Sequence, residues 1–120
     1  MNKKTLVLGA SENPARYSNK AILKLVEHKV EVVAVGLRKG LVSGVNIDVE
    51  MIPFEAIHTV TLYLNAKNQQ QYYDYILSLK PKRVLFNPGT ENEELEKLLV
   101  KNGIEYEQAC TLVLLTIGQF

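Results

Sequence analysis

The residues best suited to chemistry stand together in Gly9-Ala10-Ser11-Glu12-Asn13-Pro14-Ala15-Arg16-Tyr17-Ser18, a polar loop that follows an apolar run and opens into a helical pattern. A strand–loop–helix unit of this kind turns the free N–H groups of the helix start, and the positive end of its dipole, toward an anion such as a phosphate. Arg16 adds a guanidinium within the loop. A basic pair, Arg38 and Lys39, follows a second apolar run, and Asn87-Pro88-Gly89-Thr90 follows another. Asn-Pro-Gly is a turn signal in its own right, but its place after a strand makes Asn87 and Gly89 candidate pocket residues. These loops together suit a phosphorylated ligand.

The remaining reactive types are sparse. Cys110 is the single cysteine, so it forms no internal disulfide, which fits a reducing compartment. A thiol reacts when a base or a lowered pKa activates it, and neither His28 nor His58 is near it in sequence, so Cys110 reads as a buried structural thiol. The two histidines have no metal-ligand spacing with another His, Cys or carboxylate. The tyrosines at 72, 73 and 75 lie in a helical stretch without surrounding basic residues, so they read as packing rather than as a base-stacking platform.

The elements that must position the loops alternate along the chain. Buried strands are expected at Thr5–Leu8, Glu31–Val35, Thr59–Leu64 and Arg83–Phe86, with a shorter fifth at Ile104–Glu107. Helical patterns lie between them. Ala21, Ile22, Leu25 and Val26 form one face, with Ser18 or Asn19 as its cap; Tyr72, Tyr73, Ile76 and Leu77 form another. Thr90-Glu91-Asn92-Glu93 reads as a capping box ahead of Leu95, Leu98 and Leu99, and Lys101-Asn102-Gly103 as the stop. The irregular link from Gly36 to His58 is expected to hold at most a short helix near Phe54–Ile57. The apolar segment Thr111–Ile117 reads as a last helix that closes the core or forms half of a homodimer seam.

The 120 residues, 47% hydrophobic with a net charge of +1, make one domain spanning 1–120 with no overall pull toward nucleic acid or anionic membrane. The start Met1-Asn2-Lys3-Lys4 is followed by too short an apolar run for a signal peptide. No run reaches the roughly 18–20 apolar residues of a membrane helix. A cytoplasmic protein is expected. The predicted class is α/β: a single three-layer Rossmann-like domain around a five-stranded parallel sheet in the order 3-2-1-4-5, with the crevice between the first and fourth strands.

A dinucleotide fingerprint, G-x-G-x-x-G, is met only by Gly9, since Ser11 and Pro14 occupy the other two glycine positions. Where NAD sites carry an acid to bind the ribose, this chain has Arg38 and Lys39, which attract a ribose phosphate instead. NAD is disfavoured, and coenzyme A or NADP remains.

The strand followed by Gly-Ala-Ser-Glu-Asn-Pro-Ala-Arg-Tyr-Ser resembles the opening of the small CoA-binding domain proteins. These are stand-alone relatives of the N-terminal domain of the succinyl-CoA synthetase alpha subunit. Asn87-Pro88-Gly89-Thr90-Glu91-Asn92-Glu93-Glu94 and Glu107-Gln108-Ala109-Cys110 resemble two further segments of that family. The resemblance implies that Gly9, Ala10, Ser11, Arg16, Tyr17 and Ser18, with Arg38 and Lys39, hold the nucleotide part of coenzyme A or an acyl-CoA, the adenine lying near Val35 and Leu37. It departs after the second strand, where relatives carry Asn-Pro-Lys and this chain has Gly36-Leu37-Arg38. Synthetase-type catalysis needs further domains and a phosphorylatable histidine, so a non-catalytic binding module is expected. The alternatives are a small NADP-dependent reductase, which here lacks a Tyr-x-x-x-Lys pair, and a scaffold domain that has kept the fold without the ligand.

Overall fold

The computed structural model describes residues 2–120; Met1, which opens the Met1-Asn2-Lys3-Lys4 start, lies outside the described residues. Its strands are β1 (Thr5–Ala10), β2 (Val32–Gly36), β3 (Gly40–Val42), β4 (Val45–Asp48), β5 (Thr59–Leu62), β6 (Arg83–Phe86) and β7 (Glu105–Gln108). Its helices are α1 (Tyr17–Glu27), α2 (Ala66–Gln69), α3 (Tyr73–Leu79), α4 (Glu93–Lys101) and α5 (Thr111–Thr116), with one 3-10 turn, Gln70–Tyr72, between α2 and α3.

The sheet is Rossmann-like and mostly parallel, but it has seven strands in the order β3-β4-β2-β1-β5-β6-β7 rather than five in the order 3-2-1-4-5. The difference originates in the Gly36–His58 link. Instead of a short helix near Phe54–Ile57, this segment forms an antiparallel hairpin of β3 and β4, and β4 then pairs in parallel with β2 through Ala34↔Ile47. Ser43 (φ 49°) and Gly44 (φ 82°) turn the hairpin with two successive positive φ angles, the requirement of a tight two-residue turn. With the outer edge of β2 already occupied, β5 joins the free edge of β1. All four of its residues are buried, which a central strand permits and an edge strand does not.

Alternate strand residues feed two cores. Leu6, Leu8, Val60, Leu62, Val84 and Phe86 pack with Ile76, Leu95 and Leu99 of α3 and α4. On the other face Val7, Ala34 and Ile47 pack with Ile22 and Leu25 of α1 and Leu115 of α5. Tyr72 and Tyr75 are buried in the first of these cores, as the packing reading of those tyrosines requires. Leu115 places α5 against the core, while Val113 and Ile117 remain exposed.

Two caps differ from expectation. Arg16, not Ser18 or Asn19, occupies the N-cap of α1, and no side chain caps that helix. Asn92, not Thr90, caps α4, accepting from the Leu95 N–H at 3.2 Å. In both cases the helix starts where the chain leaves extended geometry, and that point is set by the preceding loop's own hydrogen bonds. Thr90 is committed to that loop, its hydroxyl donating to the Asn87 carbonyl at 2.7 Å. At the other end of α4, Asn102 and Gly103 (φ 71°) form the anticipated stop. No helix among the described residues is long and apolar enough to cross a membrane.

Candidate functional site

The C-terminal ends of the parallel strands open onto a cleft of about 1090 Å³. Because β5 lies beside β1, the change of chain direction falls between these two strands, not between the first and fourth of the expected set. Crevices in open α/β sheets form at such a point. The cleft nevertheless gathers the ten loop residues proposed from sequence to hold the ligand. The first loop contributes Gly9, Ala10, Ser11, Arg16, Tyr17 and Ser18; the segment after β2 contributes Arg38 and Lys39; the loop after β6 contributes Asn87 and Gly89.

The first loop is braced internally. Ser11 Oγ accepts from the Asn13 N–H at 3.0 Å, Asn13 Oδ1 accepts from the Ala15 N–H at 3.0 Å, and the buried Asn19 amide donates to the Ser11 carbonyl at 3.0 Å. Gly9 sits at φ 97°, and a Cβ there would lie 3.0 Å from the Tyr63 carbonyl carbon and 3.0 Å from Leu64 Cγ. Only glycine combines that backbone conformation with so close an approach to the chain after β5.

With α1 uncapped, the N–H groups of Tyr17 and Ser18 have no hydrogen-bond partner among the described residues. Such groups, with the helix dipole behind them, favour an anion. Arg16, Arg38 and Lys39 are exposed and form no ion pair among the described residues, where the ion pair present joins Lys4 to Glu31 at 3.7 Å. The rim is therefore cationic, with its charges unengaged. Leu37, 78% exposed, also lines the cleft, whereas Val35 is sealed in the core and offers no surface for an adenine ring.

Asn87 lines the cleft but its amide is committed to the protein. Its Nδ2 donates to Thr61 Oγ1 at 2.7 Å and to the Leu62 carbonyl at 2.8 Å, and its Oδ1 accepts from the Thr111 N–H at 2.8 Å. The Thr61 and Thr111 hydroxyls bond each other at 2.8 Å. These contacts fold the chain after β7 back over β6 and β5, which brings Cys110 and Leu112 into the cleft wall. Cys110 is thus half-buried rather than a core thiol. His28 follows the C-terminal end of α1 and His58 precedes β5, so both lie at the opposite end of the strands from Cys110.

Sequence reasoning missed the residues after β5. Tyr63, Asn65 and Asn68 line the cleft, and Asn65 caps α2 by accepting from the Asn68 N–H at 2.9 Å. The Asn-x-x-Asn spacing after a strand was the available signal. The Tyr63 hydroxyl is buried beside Thr61 and Thr111 without a well-formed bond of its own. Burial pushes its pKa up to about 12, against the easing effect of the two threonine hydroxyls, so it stays neutral. A second buried network ties the loops from behind: Gln69 Nε2 donates to the Leu64 and Thr90 carbonyls, each at 2.7 Å, and its Oε1 accepts from Asn92 Nδ2 at 2.8 Å.

Comparison with known proteins agrees with this geometry. A solved structure of an uncharacterized protein is 53% identical, with a TM-score of 0.97, over 100% of this chain and 99% of the other. A hypothetical protein from Pyrococcus horikoshii OT3 is 27% identical with a TM-score of 0.84, over 93% of this chain and 80% of its own. A conserved hypothetical protein from Pyrococcus furiosus is 28% identical with a TM-score of 0.81, over 94% and 98% respectively. No curated protein matches the chain. The family model described as CoA binding domain matches residues 3–116, and over that span, nearly its whole length, the chain belongs to the CoA binding domain family.

Proposed function

We propose that the chain binds coenzyme A or an acyl-CoA through its nucleotide phosphates and does not itself catalyse a reaction. The observation that carries this reading is the meeting of the open α1 N-terminus with Arg16, Arg38 and Lys39 at one cleft, in a chain of the CoA binding domain family. The Tyr17 and Ser18 N–H groups and Arg16 suit the pyrophosphate, where backbone donors and a guanidinium bind a delocalised dianion well. Arg38 and Lys39 suit the ribose phosphate. Bound there, coenzyme A would present a thiol or thioester, and this chain's residues would supply recognition. The sole thiol in the cleft wall, Cys110, has no histidine beside it to act as base.

Calorimetric titration with CoA, dephospho-CoA and NADP tests the reading. CoA should bind most tightly and lose affinity without its 3′-phosphate. Arg38→Glu should weaken CoA by tenfold or more while leaving the melting temperature in place, since Arg38 is exposed and unpaired. No heat with any of the three ligands would leave a retained fold with another job, and tightest binding of NADP would favour the reductase alternative.

A further inference from the structure

The segment carrying Arg38 and Lys39 is held to the first loop at both of its ends. At its start Gly36 closes on β1: it pairs with Ala10 across a register shift, and a Cβ there would lie 2.2 Å from the Ala10 carbonyl oxygen. At its end Glu12 Oε2 accepts from the Leu41 N–H at 2.9 Å. The Glu12 side chain lies so close over Gly40 that a Cβ there would be 2.4 Å from Glu12 Cγ. Between these anchors only Leu37, Arg38 and Lys39 are left, all exposed.

A tripeptide spanning two fixed points has little backbone freedom to lose, and freedom already lost before a ligand arrives does not oppose binding. The close approaches at Gly36 and Gly40 therefore restrain the Gly36-Leu37-Arg38 turn from both sides. Glu12 itself lines the cleft, where a carboxylate repels phosphate. Its hydrogen bond to Leu41 offsets that repulsion with a positional role.

We propose that Glu12 is a positioning residue that latches the Arg38-Lys39 segment to the first loop and so sets the preference for a ligand with a phosphate on its ribose. This rests on the CoA reading above.

Titration of the full chain with CoA and dephospho-CoA reads the latch through the ratio of the two affinities. Glu12→Ala should weaken CoA about fivefold, the worth of one net hydrogen bond, while dephospho-CoA, relieved of the carboxylate, binds no more weakly than to the natural chain. Glu12→Gln keeps an acceptor oxygen and removes the repelling charge, so it should bind CoA at least as well as the natural chain. Gly40→Ala, which displaces Glu12 from the other side, should reproduce Glu12→Ala. Tighter CoA binding by both Glu12 variants, or equal weakening of both ligands in Glu12→Ala, would overturn the proposal. Hydrogen exchange at the Leu41 N–H separates this inference from the CoA reading. Faster exchange in Glu12→Ala supports the latch even if the natural chain binds neither nucleotide, an outcome that would sink the CoA reading and the ligand preference with it. Unchanged exchange overturns the latch whatever the chain binds.

Discussion

Asn87 illustrates what separates a residue's type from its role. Its place in an Asn-Pro-Gly turn beside the cleft suggested a group that meets the ligand, and it does line the cleft. Yet it is 3% exposed, and its amide links β5, the loop after β6 and the start of α5. Asn87→Ala would leave the Thr111 N–H and the Leu62 carbonyl without their side-chain partner in a buried setting. A loss of about 3 kcal/mol in stability is expected, measured as a lowered urea midpoint. A stability loss well under about 1 kcal/mol would show that water replaces the amide and return Asn87 to the ligand-facing group. By contrast Arg16, Arg38 and Lys39 were legible from sequence because they stand in loops that follow apolar runs, where an open α/β sheet forms its crevice. Glu12 and Gly36 were not legible, since their roles depend on backbone atoms of other segments.

Among the elements, the N-terminal ends of β5 and β6 form a seam opposite the cleft. The Lys82 and Arg83 N–H groups donate to the His58 carbonyl at 2.9 and 3.0 Å, and Arg83 Nε donates to Thr59 Oγ1 at 2.8 Å. His58 Nδ1 lies 2.8 Å from that same hydroxyl. With Arg83 donating to Thr59, the threonine proton is directed to a neutral imidazole. Burial lowers the His58 pKa from 6.5, and the positive charges of Arg83, Lys3 and Lys82 lower it further. The unfolded chain thus takes up this proton before the folded one does. The contribution of His58 is complete above pH 6.5 and is lost as the pH falls through 6.5 toward the lower folded value. Urea midpoints measured from about pH 7.5 down to about pH 5 should decline less steeply in His58→Gln than in the natural chain. Parallel declines would exclude His58 as a contributor. The strands at this seam were readable as apolar runs. The hairpin of β3 and β4 was not, because strands of three and four residues carry too few residues to show a period.

For the whole molecule, ligand binding and stability are linked, since a compound that binds only the folded chain stabilises it by mass action. CoA at about 100 times its dissociation constant should add about 2.7 kcal/mol, seen as a raised melting temperature. The gain should shrink with added salt, because exposed cations on the cleft rim are screened. A shift indifferent to salt would place the binding energy away from Arg16, Arg38 and Lys39. The sequence alone determined the α/β alternation, the apolar faces of α1 and α4, and the loops on which the cationic groups stand. Those features follow from local periodicity, turn residues and charge, which need no knowledge of distant segments. The tertiary structure decided the strand order: β4 lies on the far edge of β2 and β5 pairs with the other edge of β1, pairings between segments distant in sequence. It also decided the make-up of the cleft wall: bonds from Asn87 and Thr61 to Thr111 fold the chain back after β7, and long-range contacts of that kind carry no signature in the residues that make them.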